Sequence, residues 1–460
     1  MVEKKKKMLA EQSRNKQPNL FHSPLSQMLD MNDPLIALAD AIDWKIFDDS
    51  FEKYYSKEGR PAKPIRLMVG ILLLKQLKNI SDEEVVAQWK QNPYFQYFCG
   101  YNEFQIIEPC HPTDLVYFRK RIGKEGMETI FGMSVALHGK ASEEKQVIID
   151  TTVQENNITY PTDGKLAIKI INHLVKIAKV EGIQLRRTYL KEIKAHRISL
   201  RFFRHPRKRK KARGAMRRLK TIAKTILRDL DRNFKDDDVL VDKYAEHFYL
   251  FMRILLQEKN SKNKIYSLHE PHAYAVGKGK DHKAWEYGTK ASIVTTKKSG
   301  IIVGVASHDK NEHDSKTLEA ALISANSNRS KPIKEAICDR GYRGKKEVLG
   351  TMISLPGVPL KRDTKYQKEK KREKFRRRAA IEPIIGHMKS DHRMQRNYLK
   401  GFIGDEINLL LAASAFNLKK WMNIYFYALF SEDYNLVIEV NRQLEQNLKL
   451  YQLLVLMKHG

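Results

Sequence analysis

Two short apolar runs, each closed by an aspartate, constrain the fold of this chain most. Val147-Ile148-Ile149 ends at Asp150, and Ala336-Ile337-Cys338 ends at Asp339. Compact runs of this kind read as buried strands, because they are too short for a helix and apolar on both faces. Thr151 and Thr152 continue the first run until Pro161 stops it. The second is followed by Arg340-Gly341-Tyr342, and a glycine and an acid at a strand's end suit a sharp turn that holds a functional side chain. Further strand-like runs, Ala291–Thr296 and Ile301–Ser307, flank Lys297-Lys298-Ser299-Gly300 and predict a hairpin.

Helical patterns fill much of the rest, so the expected class is α/β. From Pro34 to about Phe131 the spacing is helical, as in Ile65, Met68, Val69, Leu72 and Leu73. Ser81-Asp82-Glu83-Glu84 reads as a capping box, Thr113 as an N-cap, and Asp314 as the N-cap of a helix through Leu318 and Leu322. Asp405–Tyr427 reads as one long apolar helix. Lys419 and Lys420 interrupt its apolar stretch, which makes it a buried helix and not a membrane span.

With 460 residues, 42% of them hydrophobic, general disorder is excluded and roughly two to four domains are expected. The net charge of +31 points to a polyanion: nucleic acid first, a membrane surface as the lesser alternative. The charge is concentrated. Residues 165–235 hold 24 Lys or Arg against 4 Asp or Glu, a net +20, while Leu166, Ile170, Leu174 and Ile177 keep helical spacing. At its centre Arg207, Lys208, Arg209, Lys210 and Lys211 follow Phe202, Phe203 and His205, a composition that suits phosphate contact; a solvated loop is the alternative. Cys99, Cys110 and Cys338 form no CxxC pair, which fits a reducing cytosol. Met1–Lys16 is charged without an apolar centre, unlike a signal peptide, and residues 1–20 read as a frayed basic arm.

A third acid stands in the signature Phe375-x2-Arg378-x3-Glu382-x6-Lys389, whose gaps of 3, 4 and 7 residues place ring, guanidinium, carboxylate and ammonium along one helical stripe. Pro383 approximates that geometry, because it removes a helical hydrogen bond. If the two strands are neighbours and this helix packs across them, Asp150, Asp339 and Glu382 meet. Three carboxylates about 4 Å apart repel by roughly 4 kcal/mol per pair at an effective dielectric of ~20. Hard divalent cations relieve that repulsion, and two of them can clamp the attacking and leaving oxygens of an in-line displacement. Taken singly, each acid also reads as an ordinary turn or surface residue. His269, Glu270 and His272 read as surface-loop residues ahead of zinc ligands.

In these residues the chain resembles bacterial insertion-sequence transposases of the acid-triad (DDE) type, which have a ribonuclease-H-like catalytic core. The resemblance rests on Ile149-Asp150-Thr151-Thr152, on Cys338-Asp339-Arg340-Gly341-Tyr342, on Phe375-x2-Arg378-x3-Glu382-x6-Lys389 and on Gly404–Ala413, and it covers roughly residues 30–430. The family's last motif usually begins with Tyr, where this chain has Phe375. The resemblance implies Asp150, Asp339 and Glu382 as catalytic metal ligands for Mg²⁺ or Mn²⁺, two ions together, with Arg378, Lys389 and Arg340 gripping DNA. It implies a mixed-sheet core at 140–163 and 283–430, a helical DNA-binding region at 1–135, a basic, mostly helical insertion at 164–282 and a tail at 431–460. It further implies DNA as partner, a homodimer in a synaptic complex, and a cytoplasmic, nucleoid-associated protein. The expected activity is metal-dependent hydrolysis at element ends followed by strand transfer. A nuclease without strand transfer and a catalytically decayed DNA-binding protein are the alternatives.

Overall fold

The computed structural model describes residues 23–56, 58, 61–258, 260–280, 283–355, 357 and 359–430, with the side chains of 278–280, 283, 374, 375 and 430 left aside. The expected basic arm, the tail at 431–460 and the ring of Phe375 lie outside this description. The chain forms two compact units: one from residues up to Glu155 together with those from Lys290 onward, the other from Asn156–Thr289.

The first unit is built on a mixed sheet. Its strands are β1 (Gln146–Asn156), β3 (Lys283–Thr296, from Lys290), β4 (Ile302–His308), β5 (Glu335–Ile337), β6 (Glu347–Val348), β7 (Thr351–Ser354) and β8 (Arg396–Asn397); β2 (Tyr274–Lys280) belongs to the other unit. The order is β4–β3–β1–β5–β7–β6, with β8 against β1. Both apolar runs became central strands. β1 lies parallel to β5, pairing Val147 with Ala336 and Ile148 with Ile337, and β5 lies parallel to β7. Val147, Ile148, Ile149, Ala336, Ile337 and Cys338 are buried, as strands covered on both faces require. The expected hairpin is present, with Ile293 opposite Val305.

Helices enclose this sheet. Within the N-terminal region, Ile65–Lys78 is buried along nearly its whole length, and Ser81 caps Asp82–Gln91 by accepting from the Glu84 N–H at 3.1 Å. Helix Pro112–Ala136 is capped by His111 and not by Thr113, because Pro112 takes the first helical position and moves the cap one residue earlier. Asp114 returns the bond to the His111 N–H at 3.0 Å. The long helix Gly401–Phe430 packs against Pro112–Ala136, Ile65–Lys78 and β4. Its buried Asn417 reaches β4, accepting from the Ile302 N–H at 3.0 Å and donating to the Ile302 carbonyl at 2.8 Å. The buried cysteines are all unpaired. No described helix is long and apolar enough to cross a membrane.

The second unit has its own core. Helices Asp163–Val180, Leu190–Leu200, Arg209–Phe234 and Asp238–Leu256 bury Leu166, Ile170, Leu174, Leu219, Ile226, Leu230 and Phe251 together. The helical spacing read from the basic block is therefore real, and its cations are displaced to the outer faces. Strand β2 pairs with the first half of β3 in a hairpin, Tyr274 opposite Gly288.

Candidate active site

The two aspartates occupy equivalent positions on neighbouring strands. Asp150 and Asp339 each follow by two residues the paired Ile148 and Ile337, so the register carries them to the same level. Adjacent strands lie roughly 5 Å apart. Asp150 continues β1, and its carboxylate accepts from the Thr151 N–H at 2.7 Å. Asp339 stands just past the end of β5, where it caps the single 3₁₀ turn Arg340–Tyr342 by accepting from the Gly341 N–H at 2.8 Å. A side chain at Gly341 would press on both acids. A Cβ at that position would lie 2.9 Å from an Asp339 carboxylate oxygen and 3.1 Å from one of Asp314.

Glu382 comes from a different element. The run that was read as one stripe is two helices, Lys365–Ala379 and Ile381–Asp391, meeting at Ala380. The physical reason is Pro383. It falls within the first turn of the second helix, where a missing N–H costs nothing. The junction keeps Arg378 and Glu382 in contact at 3.2 Å, with the Glu382 side chain 62% exposed. Arg340 is exposed, and Lys389 is half-buried about two turns beyond Glu382 on the same helix.

The electrostatics show that these groups sense one another. Burial pushes the Asp150 carboxyl up to about 6; the Thr151 N–H and the Arg378 guanidinium oppose that shift, while the charges of Asp339 and Glu382 add to it. Asp150 is thus the acid for which negative charge is most costly. A hard divalent ion would relieve that cost, and the available donors are carboxylate oxygens, the type such ions prefer. Among the described residues, no three acidic, histidine or cysteine side chains yet close around a single point. The donor set fits such an ion in chemistry and charge, and Arg378 holds the Glu382 carboxylate.

Three residues beside the aspartates were not anticipated. Asp314 is not the N-cap of its helix. His313 fills that role, and Asp314 is the first residue of Asp314–Ser327. Its carboxylate accepts from the Thr151 hydroxyl and from Lys290 Nζ, each at 3.0 Å. Tyr342 is fully buried, with its hydroxyl beside the Thr151 side chain. Burial, followed by the charges of Asp150, Cys338 and Asp314, holds that hydroxyl well above the ordinary tyrosine range.

The basic run Arg207–Lys211 is exposed at the start of Arg209–Phe234 in the second unit, with Lys208 4.5 Å over the Phe202 ring. His269 is tied down locally, to Ser267 at 3.1 Å and to the Asn157 carbonyl at 3.2 Å.

A Transposase domain (DUF772) matches residues 23–121, and a Transposase DDE domain matches residues 264–418. The chain belongs to the insertion-sequence DDE transposases. The DDE match contains Asp339, Arg378, Glu382 and Lys389, while Asp150 precedes it. The transposase's mixed α/β unit is accordingly ribonuclease-H-like, its partner class is DNA, and its family works with divalent metal ions. An uncharacterized protein, ORF8 in the nfe locus of Rhizobium meliloti, is 41% identical to the transposase over 194 residues, 41% of this chain and 94% of that protein. No solved structure matches it.

Proposed function

We propose that Asp150, Asp339 and Glu382 form the catalytic centre of this transposase, and that it cuts the ends of its element and joins them to target DNA. The observation that carries this reading is the register that sets Asp150 and Asp339 at one level on adjacent strands, where burial and then the charges of Asp339 and Glu382 raise the Asp150 carboxyl. A carboxylate costs stability in such a place unless a cation is meant to join it. Mg²⁺ or Mn²⁺, two ions in this reading, would supply positive charge against the charge that develops on the attacking and leaving oxygens.

The chain's own residues then have distinct tasks. Asp150 within β1 and Asp339 just past β5 would hold the ions, and Glu382 would join them once Arg378 exchanged its carboxylate partner for a phosphate. Arg340 and Lys389 add phosphate contacts beside the scissile bond, which orient the DNA without reading its sequence. In the first reaction the oxygen of a water attacks phosphorus at the element's end and the 3′-oxygen leaves as a hydroxyl. In the second that hydroxyl attacks a target phosphate, one phosphodiester bond forms, and one breaks. Arg207, Lys208, Arg209, Lys210 and Lys211 supply sequence-independent affinity, and a homodimer brings two element ends together.

The test is Asp339→Asn in the full chain, assayed on DNA carrying the element's end with Mg²⁺. Cleavage and joined products are both expected to vanish while DNA binding stays within about twofold. Retained cleavage would sink the reading. Wild-type cleavage with no joined product would reduce the activity to that of a nuclease.

A further inference from the structure

The Asp314–Lys290 pair does work that its place in the scaffold does not require. Lys290 is buried, and its ammonium donates to the Glu312 carbonyl at 2.6 Å and to Asp314 at 3.0 Å. Such a pair is often no more stabilising than apolar side chains of the same volume, which leaves room for a second role. The contacts of Asp314 supply one. One oxygen accepts from the hydroxyl of Thr151, the neighbour of Asp150 in β1. The other faces Gly341, whose N–H binds Asp339 and whose missing Cβ would stand 3.1 Å away.

We propose that Asp314, neutralised and oriented by Lys290, is a positioning residue that holds the Thr151 side chain beside Asp150 and leaves room at Gly341 only for a residue without a side chain, and so sets the spacing of Asp150 and Asp339 for divalent-metal binding. The proposal rests on the reading of those two aspartates as metal ligands. Asp314 is assigned a positioning role because Lys290 and Thr151 both donate to one of its oxygens, which ties it to β1 and β3.

The experiment is Mn²⁺ titration of the full chain without DNA, by calorimetry, alongside thermal unfolding in EDTA and cleavage at increasing Mg²⁺. Asp314→Ala and the gentler Thr151→Val are compared with wild type and with Asp150→Asn. Asp314→Ala is expected to weaken Mn²⁺ binding by tenfold or more, and Thr151→Val by about threefold. Thr151→Val should unfold within about 2 °C of wild type, and excess Mg²⁺ should restore its cleavage rate. A scaffold residue would instead lower the unfolding temperature and leave the metal requirement alone.

If Asp314→Ala fails to fold, Thr151→Val decides by itself, since it removes a single hydroxyl. Unchanged Mn²⁺ affinity in Thr151→Val, together with loss of binding in Asp150→Asn, overturns the positioning role. Unchanged affinity in Asp150→Asn overturns the metal-site reading beneath it.

Discussion

Arg378 and Glu382 form an ion pair at 3.2 Å across the junction of two helices, with the carboxylate largely in solvent. An exposed pair four residues apart contributes only a few tenths of a kcal/mol. Its value therefore lies in what Arg378 does next. Arg378→Gln is expected to shift the unfolding temperature by less than about 2 °C, while the slope of log affinity against log salt falls by about one phosphate contact. Calorimetry and DNA binding at several salt concentrations check both. An unaltered slope would place the guanidinium away from phosphate.

Asp150 makes the opposite trade. Its folded carboxyl titrates near 6, above the ordinary 3.8, so between those values the folded state holds the proton more tightly than the unfolded state. Stability without metal must then fall as pH rises from about 4 to about 6, and stay lower above that. Asp150→Asn removes the cost. In EDTA at pH 7.5 it should be the more stable protein by on the order of 1–2 kcal/mol, a figure reduced for partial exposure. At pH 4 the two should coincide, and added Mn²⁺ should reverse the order at pH 7.5 by stabilising only wild type. Denaturant titrations at both pH values decide. A less stable Asp150→Asn in EDTA would mean that the residue is a structural anchor.

A second titration is set deeper in the helical shell. Desolvation lowers the His138 ring to about 4; the Asn417 carbonyl, bound at 3.0 Å, opposes this, and Lys420 adds to it. The folded pKa lies below the unfolded value near 6.5, so the unfolded chain takes up the proton first. Stability contributed by neutral His138 is present above about 6.5 and is lost as pH falls toward 4. Wild type should lose on the order of 2 kcal/mol through that window from this group. His138→Gln should be less stable at pH 7.5, through the altered Asn417 contact, but with a flatter dependence between pH 6.5 and 4. Equal slopes would assign the acid loss to other groups.

What the sequence disclosed follows from how local each signal is. The strands of Asp150 and Asp339 were legible because a three-residue apolar run closed by an acid has few other uses. Their parallel register was not, since nothing in either run names its partner. Arg378 and Glu382 were legible as neighbours at i, i+4, although the helix breaks between them; Pro383 was visible as a perturbation, but which turn it would occupy was not. His111 displaced Thr113 as a cap because of the proline between them. Asp314 was misread for a physical reason: its local position suits a cap, and its actual partners, Thr151 and Lys290, are distant in sequence. A helix-start acid preceded by a histidine that can cap in its place is the one signal that pointed elsewhere.

The basic run of the second unit can be separated from the catalytic chemistry because its side chains are exposed and its unit has its own core. Arg207, Lys208, Arg209, Lys210 and Lys211 precede or open Arg209–Phe234, whose buried residues begin at Ala212. Neutralising all five to Gln leaves that core intact, and unfolding should change by no more than about 0.5 kcal/mol per residue. Binding should respond strongly. Each phosphate contact contributes about 0.9 to the slope of log affinity against log salt, so loss of several contacts lowers it by several units. Cleavage at low salt and saturating DNA should stay near the wild-type rate, which distinguishes an affinity surface from a part of the catalytic centre. Measured slopes that coincide would leave the run facing solvent and move the search for the DNA surface to the helical region at 23–121.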